Sequence, residues 1–317
     1  MAIADQIITP KYALYNGDCI EVMASLPDQK IDFSVFSPPF ADLYCYSDNP
    51  RDLGNCKNYE EFLVHFGFVA EQLARVLKPG RNCSIHCMDI PAMKERDGYI
   101  GIKDFSGDIV RIMQREGFIY HSRHTIWKDP LIEATRTKAI GLMHKQLQKD
   151  SIRSRAGLPD YLLTFRNDGE NEVPIEHKEG LKRYCGSDDP TAGETGIKIS
   201  HNIWRAYASP VWMDIRQTKT LNAKIARDAD DEKHLCPLQL DVIERACVLW
   251  SNPGEIVLTP FMGVGSEVYG AVRCGRRGVG IELKPSYFKQ AVRNLADVES
   301  DEEHQEFEFV KNQEWIE

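Results

Sequence analysis

The sequence predicts an α/β protein built on a doubly wound, mostly parallel sheet. Strand-like and helix-like stretches alternate up to about residue 130 and again after Pro237, the order that lays parallel strands side by side under helices. The strand IDFSVF is apolar almost without a break, as expected of a strand covered on both faces. From 257 to 283, VLTPFMGVGSEVYGAVRCGRRGVGIEL sets a glycine-bearing loop between an apolar strand and a helix, then returns to a strand.

In chain order, YALYNGD reads as a short strand closing on Gly17, and EVMASLPDQ as a short helix ended near Pro27. Between Tyr59 and Lys78, Phe62, Leu63, Phe66, Val69, Ala70, Leu73, Val76 and Leu77 recur at three and four, an amphipathic helix stopped by Pro79-Gly80. NCSIHCMD is the next strand, 105–117 a helix, and FIYHSRHTIWK a further strand. Residues 130–183 mix basic helical stretches with the strand DYLLTFR, and 185–200 (CGSDDPTAGETGIKIS) reads as a mobile loop. Regular structure resumes as PLQLDVIERACVLWS (helix), EIVLTPF (strand), SEVYGAVRCG (helix), GVGIEL (strand) and PSYFKQAVRNL (helix). No internal repeat is present, and the stretch beyond 298 is acidic and expected to fray.

At 317 residues, 42% hydrophobic and 27% charged, the composition is that of a globular chain with a sizeable core. No apolar run approaches the roughly 18 residues needed to cross a bilayer, so no membrane partner is expected. The N-terminus lacks a basic start followed by an apolar stretch. Nine cysteines without a CxxC pair argue for reduced thiols, and a cytoplasmic location is the expectation. Cys83, His86 and Cys87 lie on an alternating strand, where neighbouring side chains point to opposite faces, so no metal is expected there; His121 and His124 take the same discount.

The net charge of −9 hides a local excess of the opposite sign. Residues 121–166 hold nine Lys/Arg against four acids, while DADDE at 228–232 and the tail carry the negative charge. The basic stretch reads either as a solvated face or as a nucleic-acid footprint.

Two loops invite chemistry. In SVFSPPF (34–40) two prolines follow a buried strand, giving either a stiff turn or a rigid bracket that offers bare carbonyls and an aromatic face to a flat ligand. In the second loop, Gly263 and Gly265 allow close backbone approach to a ligand, and Glu282 at the next strand's tip suits two ribose hydroxyls. A dinucleotide fingerprint fails, because its third glycine would fall on Val268. A nucleoside without a pyrophosphate fits better, and S-adenosylmethionine is the common one.

With these residues in view, the chain resembles the DNA methyltransferases that modify exocyclic amines. SPPF (Ser37, Pro38, Pro39, Phe40) is similar to their catalytic [DNS]-P-P-[YF] motif, and TPFMGVGS to their cofactor motif Asp-Pro-Phe-x-Gly-x-Gly. NGD (16–18), RVLKPG (75–80), IWK (126–128), EKH (232–234) and GRRGVGIEL (275–283) fall in the order of the permuted beta class, in which the catalytic half comes first. The resemblance covers roughly 12–130 and 230–296. It implies a catalytic half at 1–129, an inserted basic target-recognition region at 130–230, a cofactor half at 231–297 and an acidic tail at 298–317.

The same resemblance assigns roles. Ser37 Oγ and the Pro38 carbonyl would accept the two N–H groups of a flipped base's amine, Pro39 would stiffen the corner and Phe40 would stack on the base. Asp18, Lys233, His234, Thr259, Phe261, Gly263, Gly265, Ser266 and Glu282 would face S-adenosylmethionine. Lys128, Arg136, Lys138, Lys145, Lys149, Arg153 and Arg155 would face double-stranded DNA. Homodimers are common in this class. Serine in the first motif position is more typical of enzymes acting on N4 of cytosine than on N6 of adenine. Thr259 stands where the family usually has Asp, and Leu235 where Pro usually follows the KH motif. No cysteine sits in the Pro-Cys setting used for ring-carbon methylation. A DNA-binding regulator on the same fold, and a methyltransferase for RNA or protein amides, are the alternatives; in the latter the cofactor motif normally comes first.

Overall fold

The computed structural model describes residues 3–40, 52–56, 58–92, 94–137, 147–153, 156–221, 237–296 and 298. Among them a nine-stranded sheet runs in the order β1 (Ile3–Ile8), β2 (Tyr12–Gly17), β11 (Arg277–Glu282), β10 (Ile256–Thr259), β3 (Phe33–Phe36), β4 (Asn82–Cys87), β8 (Asp160–Arg166), β7 (Ile119–Ile126) and β9 (Val211–Trp212). All its neighbours pair in parallel except at β1, which opposes β2, and at β8, which opposes both β4 and β7. A small antiparallel hairpin, β5 (Ile90–Ala92) with β6 (Gly101–Lys103), stands apart. The doubly wound, mostly parallel sheet expected from the sequence is present.

Helices cover both faces. α1 (Cys19–Ser25), α2 (Tyr59–Val76) and α4 (Phe105–Arg115) pack Val22, Phe62, Phe66, Leu73, Phe105 and Ile109 against Phe36, Ile85, Leu163, Phe165 and Leu258 of the strands. A short α3 (Lys94–Asp97) lies within the hairpin connection, and α5 (Pro130–Thr137) follows β7. On the opposite face α6 (Ile197–Ala208) and α7 (Leu240–Trp250) pack Ile203, Tyr207, Val242, Ile243 and Ala246 onto Phe33, Val35 and Val257. α8 (Ser266–Arg273) and α9 (285–296) bury Val268, Phe288, Ala291 and Leu295 against Leu14 and Met262. Each such large apolar side chain contributes about 1.5–3 kcal/mol by leaving water. β3 alternates between the two cores, Phe36 to one and Phe33 and Val35 to the other, which is why its sequence is apolar throughout. α2 begins where Asn58 Oδ1 accepts the Glu61 N–H at 2.8 Å, and ends at Leu77, just before Pro79.

Three elements differ from the sequence reading. β1 reads IADQII and is largely exposed, so it lacks the alternation that marks a half-buried strand. Residues 197–200, expected within a loop, open α6, whose Ile203 and Tyr207 are buried one helical turn apart. DYLLTFR, inside the segment expected to be an insertion, is β8 at the heart of the sheet, paired on both edges. The 180–215 stretch is likewise tied to the core, with the fully buried Arg245 donating to the Cys185 carbonyl at 2.6 Å and reaching Asp214.

Candidate active site

Adjacent parallel strands β3 and β10 are in register, Leu258 opposite Ser34, with Ser34 Oγ donating to the Leu258 carbonyl at 2.9 Å. From β3 the chain crosses through α2 to β4 on one side. From β10 it crosses through α8 to β11 on the other. Connections that leave neighbouring strands in opposite directions open a crevice at their carboxyl ends. The SPPF corner follows β3 and the glycine loop follows β10, so both border it; the Phe36 and Phe261 rings meet beneath them at 5.6 Å.

On the β10 side the backbone does the shaping. Gly263 (φ +54°) and Gly265 (φ +94°) adopt left-handed conformations, and Gly265 caps α8. A Cβ on Gly265 would lie 3.1 Å from the Ala291 Cβ, whereas one on Gly263 would meet no atom within 4 Å. Glu282 Oε2 accepts the Gly263 N–H and Oε1 the Lys284 N–H, both at 2.8 Å. Burial pushes the Glu282 carboxyl up to about 7, with Asp52 adding to it against the backbone donors. Burial likewise raises the adjacent Glu267 to about 8. Thr259 Oγ1 and Ser266 Oγ are buried and have no hydrogen-bond partner among the described residues. Unsatisfied buried hydroxyls beside a glycine turn fit a ligand rich in polar groups, as a nucleoside with an amino-acid arm is. Asp18 is engaged as the cap of α1, where Oδ1 accepts from Ile20 and Glu21 at 2.9 and 3.1 Å. Asn16, part of the NGD motif but given no role from the sequence, donates to the Glu282 and Leu283 carbonyls at 2.7 and 3.1 Å. Lys233 and His234 lie outside the described residues.

On the β3 side, side chains from distant strands converge. Ser37 Oγ lies 2.6 Å from His86 Nδ1 on β4, and His86 Nε2 lies 3.3 Å from Asp160 Oδ2 at the start of β8. Asp160 Oδ1 accepts from Lys128 Nζ at 2.6 Å, and Glu133 stands 3.7 Å from the same amine. Burial raises the Asp160 carboxyl, but His86 and Lys128 outweigh it and hold it down at about 2. Because β8 runs against its neighbours, its first residue sits at the edge where β4 and β7 end. Pro38 is buried, Pro39 and Phe40 are half-buried, and the Phe40 ring lies 6.2 Å from that of Phe105. Cys83 and Cys87 point into the core, away from His86.

Lys128, expected on a DNA-facing surface, is only 8% exposed and is engaged by Asp160: a short distance beyond β7 its amine turns inward to a buried carboxylate. Lys149 is exposed. Arg136 falls in α5 and Arg153 in a short turn at Ser151–Arg153. Lys138, Lys145 and Arg155 lie outside the described residues.

A family model described as DNA methylase, of the N6/N4 methyltransferase type, matches residues 31–293. The chain is 37% identical over 300 residues to the DNA adenine methyltransferase YhdJ of Escherichia coli K12, covering 94% of this chain and 87% of that protein. It is 23% identical over 277 residues to the type II methyltransferase M.BamHI of Bacillus amyloliquefaciens, covering 85% of this chain but 54% of that relative's length. Among solved structures, TTHA0409 from Thermus thermophilus, in complex with S-adenosyl-L-methionine, superposes with a TM-score of 0.61 at 24% identity, over 90% of this chain and 93% of that one. The cytosine-N4-specific PvuII DNA methyltransferase superposes at 0.58 and 17% identity, over 92% and 89%.

Proposed function

The chain belongs to the DNA methylase family, and from that premise we propose that it transfers a methyl group from S-adenosyl-L-methionine to an exocyclic amine of a base flipped out of duplex DNA. The observation that carries the reading is the shared crevice: the SPPF corner and the glycine turn leave adjacent, in-register parallel strands at the same edge.

The family's donor, S-adenosyl-L-methionine, supplies an electrophilic methyl group when bound. Gly263, Gly265 and the buried hydroxyls of Thr259 and Ser266 would hold it, with Glu282 as acceptor for ribose hydroxyls. The rest falls to this chain's own groups. An exocyclic amine is a poor nucleophile because its lone pair is delocalised into the ring. Ser37 Oγ and the Pro38 carbonyl accept its two N–H bonds and draw the nitrogen toward tetrahedral geometry. Pro38 and Pro39 keep that bracket from relaxing, so the dipoles need no reorganisation as charge develops. Phe40, braced on Phe105, stacks on the base and offsets part of the few kcal/mol that flipping it costs. The 130–230 segment, with exposed Lys149 on it, meets the phosphates.

Ser37 favours N4 of cytosine as the target. The 37% identity to an adenine methyltransferase favours N6 of adenine as a second reading. Duplex DNA incubated with labelled donor, digested and analysed by nucleoside mass spectrometry distinguishes them. N4-methylcytosine is the expected product, and Ser37→Ala is expected to lose about 100-fold in rate. Absence of any methylated base overturns the reading.

A further inference from the structure

We propose that His86 is a positioning and proton-accepting residue for the amine transfer, acting through Ser37 and itself oriented by Asp160. The inference rests on the amine-methylation reading and deepens it.

The geometry defines the task. At 2.6 Å, the Ser37 hydroxyl and His86 Nδ1 share one hydrogen; the His86 carbonyl, 3.3 Å from the same oxygen, is the longer and weaker acceptor. If the ring is neutral with its N–H on Nε2, that hydrogen belongs to the serine and is donated to Nδ1, which turns the Oγ lone pairs toward the crevice and the incoming amine. Asp160 favours this tautomer: its Oδ2 stands 3.3 Å from Nε2, which makes no hydrogen bond among the described residues at rest, so the bond forms as the ring takes up its proton. Lys128, whose ammonium stands 2.6 Å from the other oxygen, holds that carboxylate in place.

The proton balance closes. Once methylated, the amine nitrogen is a cation carrying one proton too many. Its N–H bond breaks and an O–H bond forms on Ser37. The original Ser37 O–H bond breaks and an N–H bond forms on His86 Nδ1. No electrons change hands. The imidazolium left behind faces Asp160, and its proton returns to water between turnovers.

A serine, a histidine and an aspartate in line also suggest acyl transfer, but the corner forbids it. Acyl transfer needs backbone N–H donors for the oxyanion, and the two residues after Ser37 are prolines, which have none. Pro38 and Pro39 offer the crevice carbonyls but no N–H groups, which suits an amine better than an oxyanion.

Three variants and one spectrum test this. In single-turnover methyl transfer to duplex DNA, His86→Leu is expected to lose about 100-fold in rate. His86→Gln keeps an acceptor for the hydroxyl but takes no proton, so it should fall between the two. Asp160→Asn should slow the step by presenting the wrong tautomer. KM for DNA and calorimetric affinity for the donor should stay within about threefold of wild type, a split that a general structural defect would not give. Independently of activity, the nitrogen NMR spectrum of wild-type His86 should show a neutral ring protonated on Nε2. A ring protonated on Nδ1 overturns the proposal, as does a wild-type rate in His86→Gln or in a folded His86→Leu. If His86→Leu does not fold, His86→Gln and the spectrum carry the test. An active wild type with unaffected variants removes the relay and leaves the methylation reading standing. A wild type that methylates no DNA removes both.

Discussion

The two loops that border the crevice solve the same problem, holding a ligand group in a fixed place, with different materials. After β10 the backbone does it. Two left-handed glycines, a helix start and a carboxylate that ties down the Gly263 N–H all lie within 24 residues of Thr259. After β3 the work passes to side chains borrowed from elsewhere: Ser37 leans on His86 from β4, and His86 on Asp160 from β8 and through it on Lys128 after β7. The first arrangement is local and tolerates changes in the rest of the sheet. The second exists only if four strands assemble in one order, so it couples chemistry to the integrity of the sheet.

The strongest way to break that contrast is Lys128→Met. Removing the ammonium leaves the buried Asp160 carboxylate without its cation, and loss of one partner of a buried pair costs about 3–5 kcal/mol. Chemical denaturation should register a loss of that order. The Asp160 carboxyl sits below its ordinary value, so its contribution is present above about pH 4 and is lost as pH falls through about 2. In the variant that loss should begin at higher pH. If Lys128 served instead as a DNA contact, stability would hold and only the salt dependence of DNA binding would change.

Next in size is Gly265→Ala on the opposite loop. Its φ of +94° and the 3.1 Å approach to the Ala291 Cβ together should cost about 2 kcal/mol. The expected signature is a lower Tm and weaker calorimetric binding of the donor, with the Ser37–His86 pair intact by NMR. A matching loss of that pair would mean the two loops are not independent.

Glu282→Gln sharpens the comparison through pH. The folded-state carboxyl is raised toward 7, so its contribution to stability is full below about pH 4.5 and is lost as pH rises through about 7. Wild type without donor should therefore lose melting temperature across that window relative to Glu282→Gln. Donor affinity should run the other way, rising in wild type as the carboxylate forms and staying flat in the variant. A flat difference between the two melting curves would mean that burial does not hold this carboxyl up.

This contrast also explains how much was legible in the sequence. The strands at 33–36, 82–87, 256–259 and 277–282, the long helix from Tyr59 and the glycine turn announce themselves, because each rests on nearest-neighbour chemistry: apolar runs, helical spacing, positive φ at glycine. β1 did not, being a largely exposed edge held by its pairing with β2 and by the half-buried Ile3 and Ile7. Nor did the place of β8, since nothing in DYLLTFR says it inserts between β4 and β7. His86 followed from that omission. Seen along its own strand it is one polar residue beside two cysteines; only the register with β8 gives it a partner in Asp160. The partner of Lys128 was hidden for the same reason: along the chain it is a basic residue in a basic stretch, and only the fold brings it to a carboxylate 32 residues on.

Lys149 marks the opposite extreme and the smallest effect. It is exposed, and exposed lysines gain little from their immediate surroundings, so Lys149→Ala should leave stability within about 0.5 kcal/mol of wild type. If its ammonium meets a phosphate, one counterion fewer is released on binding, and the slope of log affinity against log salt should flatten by about 1. The loss should be alike for specific and scrambled duplexes, because a phosphate contact carries no base information. An unchanged slope would assign Lys149 to a solvated face and move the search for the DNA path to other residues of the basic segment. Lys128→Met, measured in the same titration, supplies the reference: one basic residue acting through the fold, the other through the field it adds outside it.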